Sequence, residues 1–163
     1  MSFTPNVEAN AGQGERVLAE LRGTLRELGI PTTGLGAVSK TDWTPGSYET
    51  MSYRFWAPEG LGLVAIEGKI CDLEGEPTDD LRVALNHMNV ELENLRYYAA
   101  GSTIYVRTDL LPYTEKSKWI NPRELKLALT TLCAQSALFK ETLVSIQGGR
   151  RWASVKDAIR SMR

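Results

Sequence analysis

At 163 residues, with 42% apolar and 24% charged side chains, the chain is long enough to bury one sizeable core and too apolar to stay disordered. No apolar run approaches the roughly 18 residues that a membrane helix needs. The formal net charge of −1 hides an asymmetry, because residues 1–100 hold 8 basic and 15 acidic side chains (net −7) and residues 101–163 hold 11 and 5 (net +6). Either the two parts neutralise each other within one fold, or the basic part meets an acidic partner, a nucleic acid or the acidic part of a second subunit.

Residues 1–12 are rich in Asn, Gly, Ser and Thr and read as a flexible N-terminus. They lack the basic and apolar regions of a signal peptide. A single domain is expected over 13–163. Its first helix spans Gln13 to Leu28, with Val17, Leu18, Leu21, Leu25 and Leu28 on one stripe. Gly29 supplies a left-handed cap, and Pro31 prevents continuation.

Three strands are predicted next. Leu35 to Lys40 is a weak one, followed by a turn over Asp42 to Ser47. Tyr48 to Ala57 alternates, placing Met51, Tyr53 and Phe55 on one face and Tyr48, Thr50, Ser52, Arg54 and Trp56 on the other. Pro58-Glu59-Gly60 leads into Leu61 to Ile70, with Val64, Ile66 and Ile70 facing one way. After the acidic loop Asp72 to Pro77, Thr78 caps a second helix that runs to about Asn94 along Leu81, Ala84, Leu85, Met88 and Leu92. Asn86 and Asn89 flank that stripe. A hairpin follows, Leu95–Ala100 and Thr103–Leu111, turning at Gly101-Ser102. Asn121-Pro122-Arg123-Glu124 opens a third helix through Leu125, Ala128, Leu129, Leu132, Phe139 and Leu143, ending near Gly148. A short basic amphipathic helix (Trp152, Val155, Ile159, Met162) is expected last.

The chemistry-bearing residues do not assemble into a catalytic pattern. His87 is the one histidine, without HExxH or Cys/His spacing, and reads as a helix-surface or interface residue. Cys71 and Cys133 are far apart and read as small buried hydrophobes in a reducing, cytoplasmic setting. Gly12-Gln13-Gly14 has no strand before it, so no nucleotide fingerprint is formed. Asp72, Glu74 and Glu76 lack the EF-hand pattern and read as a solvated loop. No catalytic residue, metal or cofactor is therefore expected. Several of Trp43, Tyr48, Trp56, Tyr97, Tyr98, Tyr105 and Trp119 are expected on the sheet face opposite the apolar one. There they either pair across strands or form a binding surface. The tail holds Arg150, Arg151, Lys156 and Arg160, which suit either solvent or an acidic partner or nucleic acid.

The stretch Leu85-Asn86-His87-Met88-Asn89, with Leu95-Arg96-Tyr97-Tyr98, Ile104-Tyr105-Val106-Arg107 and Asp109-Leu110-Leu111, resembles the bacterial YbjN-like family, whose second helix shows LNxxN before a hairpin. The resemblance covers Thr78 to Val144 well and the first helix and three strands by pattern only. It implies the type III secretion chaperone fold: α+β, in the order α-β-β-β-α-β-β-α, with a curved antiparallel sheet and helices packed on one side. It also implies a homodimer that binds protein partners and has no catalytic residues. The basic C-terminal helix extends beyond the family's usual end. The expected function is a non-catalytic, chaperone-like or regulatory protein-binding domain; the alternative is a nucleic-acid-associated protein, or an adaptor for a DNA-processing partner, using the basic C-terminal third. The expected partner or dimer surface comprises Asn86, Met88, Asn89, Leu92, Tyr48, Trp56, Tyr98 and Tyr105. The asparagines have a second reading, in which their amides tie the helix to a strand edge or loop.

Overall fold

The computed structural model describes residues 12–33, 38–58, 62–92, 94–111, 120–151 and 156–157. Its elements follow the expected order: α1 (Gln13–Glu27), β1 (Val38–Trp43), β2 (Met51–Trp56), β3 (Val64–Asp72), α2 (Asp79–Glu91), β4 (Arg96–Ala100), β5 (Thr103–Leu110) and α3 (Pro122–Gln147). The five strands form one antiparallel sheet ordered β1-β2-β3-β5-β4. The short hairpin connections place β2 beside β3 and β4 beside β5, and the chain inserts β5 next to β3 after passing through α2.

Among the described residues, α1, α2 and α3 lie on one face. α1 packs on β1 and β2, α3 covers β3 and β5, and α2 lies against β4 and α3. Each strand turns its alternate side chains into that layer, so Met51, Tyr53, Phe55, Ile66, Ile104, Val106 and Tyr97 meet Leu21, Leu25, Leu125, Leu129 and Leu132 in one buried core. Two core tyrosines use their hydroxyls across it. Tyr53 Oη donates to the Leu129 carbonyl at 3.0 Å, and Tyr97 Oη bonds Gln135 Oε1 at 2.9 Å. Burial pushes both phenols well above their ordinary range, so both stay protonated. β1 faces α1 with polar groups, and these are satisfied. Arg22 Nε donates to Ser39 Oγ at 2.7 Å, and Thr41 Oγ1 donates to the Pro31 carbonyl.

Local chemistry sets the helix ends. Thr78 Oγ1 accepts from the Leu81 amide and Asn121 Oδ1 from the Arg123 amide, with Pro122 in the first turn of α3. α1 closes through Gly29 at φ 73°, where the Gly29 and Ile30 amides reach the carbonyls of Arg26 and Leu25 and Ile30 is buried.

Several boundaries differ from expectation, and β3 is one of them, running Val64–Asp72 rather than Leu61 to Ile70. β1 runs on through Asp42 and Trp43, which pair with Ser52 and Met51, so the turn is confined to the loop around Pro45-Gly46. β2 consequently begins at Met51, leaving Tyr48 and Thr50 in that loop. α2 stops at Glu91 rather than Asn94, because Leu92 is extended (φ −105°) and Asn94 is left-handed (φ 66°), a conformation that asparagine tolerates. The expected start of the first strand at 35–37, the flexible N-terminus up to residue 11 and the basic C-terminal helix built on Trp152, Val155, Ile159 and Met162 lie outside the described residues. Among the described residues, no helix is long and apolar enough to cross a membrane.

Candidate interaction surface

With the helices all on one side, the other face of the sheet is the surface on which the strands display their remaining side chains. Cross-strand register aligns five charged residues there, one from each strand. Lys40 pairs with Arg54, Arg54 with Glu67, Glu67 with Arg107, and Arg107 with Arg96. Glu67 sits at the centre of the row on the middle strand and is only 2% exposed. Arg54 Nη2 bonds Glu67 Oε1 at 2.8 Å, while Glu67 Oε2 is buried without a hydrogen-bond partner. Burial raises the Glu67 carboxyl above its ordinary range, opposed by the guanidinium of Arg54 and, more weakly, by that of Arg107.

Trp56 completes this centre. The guanidinium carbons of Arg54 and Arg107 each lie 5.0 Å from its ring centroid, within cation–π range. Arg107 is held further by Asp109, whose Oδ1 accepts from both Nε and Nη2 at 2.9 Å. Next to the row, Tyr98 and Tyr105 pair across β4 and β5 and stack on each other at 5.6 Å. A register shift between Lys69 and Cys71 puts Lys69 and Asp72 on this same face, 2.6 Å apart. Their hydrogen bond raises the lysine and lowers the aspartate.

Trp56, Tyr98 and Tyr105 are thus brought together on the open face, as expected. Tyr48 is not among them: it is 39% exposed and lies in the β1–β2 loop, because β2 starts later than its alternation implies. Met88 is 2% exposed and belongs to the core, which removes it from any interface in this conformation. Its position on the apolar stripe of α2 already required that burial. Tyr97, too, points inward.

Asn89 adopts the second of its two readings. Its Nδ2 donates to the Tyr97 carbonyl at 2.8 Å, and its Oδ1 accepts from the Tyr97 amide at 2.5 Å. Asn86 is exposed beside it, and both line a cleft of about 400 Å³ with Arg82, Tyr98 and Gly101. Both edges of the sheet are therefore partly occupied. Asn89 takes the outward backbone groups of Tyr97 on β4, and Thr33 takes those of Lys40 on β1 through two backbone bonds of 2.8 and 2.6 Å. Blocked edges resist uncontrolled strand pairing, so strand addition at either of these points requires displacement first.

Leu92 caps α2 and is half-buried in a groove of about 660 Å³ between α2, the ends of β4 and β5, and α3. Leu95, Leu110, Leu111 and Leu127 share that groove, and Leu111 and Leu127 are 70% and 66% exposed. Val90, 83% exposed, lies in an adjoining depression that also contains Leu92 and Leu111. Sequence reasoning singled out Leu92 alone of these. Arg150 and Arg151 are exposed beyond α3 and Lys156 is partly buried, while Arg160 lies outside the described residues. His87 is half-buried on α2.

A scan against protein-family models returns no match, and a search of curated proteins returns none either, so the YbjN-like resemblance gains no support there. Among solved structures, a chain in the crystal structure of the ExsC–ExsE complex is similar at a TM-score of 0.53 and 14% identity, over 88% of this chain and 98% of that one. At that identity the likeness is one of fold. The type III secretion chaperone-like fold expected from the sequence stands.

Proposed function

We propose that this chain is a non-catalytic, protein-binding domain of the chaperone-like or regulatory-adaptor kind, acting in the cytoplasm as a homodimer, with YbjN-like kinship. The observation that carries the reading is the open sheet face, where the guanidiniums of Arg54 and Arg107 both lie against Trp56 and Tyr98 stacks on Tyr105. Rigid aromatic and arginine groups give large contact area at low entropic cost. The similar fold in a two-protein complex supports the same reading. So does the use made of the polar side chains: Tyr53, Tyr97, Asn89 and Gln135 hold elements together in this structure.

The homodimer is assigned to the apolar groove around Leu92, Leu111 and Leu127, since exposed apolar patches of this kind mark association surfaces. Light scattering is expected to give twice the 18.1 kDa chain mass, and Leu127→Glu to return it to one. For the partner, a photo-crosslinking residue at Trp56 in the native cell should yield a discrete protein adduct. The same residue at Val144, which is exposed on α3, should not. Equal labelling from both positions, or none from either, would sink the proposal.

A further inference from the structure

We infer that the open face of the sheet is a docking site for an acidic, extended protein segment laid across the strands along the row Lys40, Arg54, Glu67, Arg107 and Arg96. This rests on the protein-binding reading and specifies the chemistry of the partner.

The row holds four cations and one carboxylate, and the carboxylate is the buried member. Glu67 and Asp109 engage Arg54 and Arg107, orienting their guanidiniums against Trp56. A guanidinium has five N–H donors. Glu67 Oε1 engages Arg54 through Nη2, and Asp109 Oδ1 engages Arg107 through Nε and Nη2, so each retains donors for a further carboxylate. At the two ends of the row Lys40 and Arg96 are exposed and have no ion-pair partner among the described residues. Strands about 4.8 Å apart make the row roughly 19 Å long, the reach of about six residues of extended chain. Two cations already fixed by packing, and two free ones flanking them, form a pre-organised acceptor for acidic side chains spaced along such a segment.

Single-stranded nucleic acid, the other polyanion, suits this face less well. Base recognition needs open aromatic faces, and here Trp56 is taken up by two guanidiniums and Tyr98 and Tyr105 by each other.

The test is fluorescence anisotropy of the full chain with fluorescein-labelled deca-glutamate, deca-lysine and deca-thymidylate at low and physiological salt. Deca-glutamate should bind saturably, more weakly as salt rises, and deca-lysine should not bind. The double variant Lys40→Ala/Arg96→Ala, which changes only exposed side chains, should weaken deca-glutamate binding about tenfold, while Arg150→Ala/Arg151→Ala leaves it unchanged. The inference is overturned if deca-glutamate fails to bind at low salt or binds the double variant equally well. It also falls if deca-thymidylate binds more tightly through Lys40 and Arg96. Should it fall while position 56 still crosslinks a discrete protein, the partner-binding reading survives with a partner of different chemistry.

Discussion

The side chain of Asn89 on α2 takes the place of a neighbouring strand for Tyr97 on β4, accepting from its amide at 2.5 Å and donating to its carbonyl at 2.8 Å. Tyr97 is paired with Val106 on its other side, so these two bonds close the outward edge of β4 at that residue. Asn89→Ala should cost about 1–2 kcal/mol, the value of two partly solvated hydrogen bonds. It should also promote self-association, because the freed edge becomes a template. The urea midpoint and light scattering report the two effects separately. Asn86→Ala, removing an exposed amide one turn away, should change neither; an equal loss would mean that Asn89 has no special role.

Gly68 lies opposite Tyr53 on the helix-covered face, and a β-carbon there would come within 2.6 Å of the Met51 sulfur. Met51 is itself only 4% exposed, so its thioether has to repack against the neighbouring core to make room. Gly68→Ala is therefore expected to destabilise by about 1–3 kcal/mol through overpacking. Shortening the neighbour should relieve it. Gly68→Ala combined with Met51→Ala should cost less than the sum of the two single changes, by about 0.5 kcal/mol or more. Strict additivity in the denaturation cycle would show that the methionine is not what the glycine makes room for.

Glu67 supplies a pH dependence with a definite sign. Its carboxyl titrates above the ordinary value of 4.5 in the folded chain because burial outweighs Arg54 and Arg107. Between that value and the higher folded one, the native state holds more protons than the unfolded state, so this group makes stability fall as pH rises through the window. Glu67→Gln cannot titrate. The difference in urea midpoint between wild type and Glu67→Gln should thus move against the wild type from acid to neutral pH, then level off. A difference moving the other way would mean that the arginines outweigh burial.

Much of this was readable from local chemistry. Thr78, Asn121-Pro122 and Gly29 announce helix ends because capping involves residues only a few positions apart. The Gly101 turn is equally local: Gly101 has positive φ and Ser102 does not, the pattern of a type II′ turn. The row on the open face was not readable. Alternation says that Arg54, Glu67 and Arg107 point away from the core, but not that they align. Alignment depends on β5 pairing with β3 across the whole of α2, and on a register that no local pattern encodes. Asn89 was ambiguous for the same reason: its partner Tyr97 is near in sequence, yet the contact exists only once β4 has docked on β5.

Gln147 makes the last connection that sequence could not announce, tying the end of α3 to the start of α2. Its Oε1 accepts from the Thr78 amide at 3.0 Å, and its Nε2 donates to the Glu76 carbonyl at 2.9 Å. Thr78 is the N-cap of α2, so this one amide fixes the residue that itself caps the Leu81 amide. Gln147→Ala should lower stability by about 1 kcal/mol and speed hydrogen exchange at Leu81 and Arg82, the first amides bonded to Thr78. Gln147→Glu keeps the acceptor and places negative charge near a helix N-terminus, where the dipole favours it, but it loses the donor to Glu76 and approaches the acidic first turn of Asp79 and Asp80. The glutamate variant should therefore exchange more slowly than the alanine variant at those amides while remaining less stable than wild type. Unchanged exchange in Gln147→Ala would show that α2 is capped by Thr78 without help from α3.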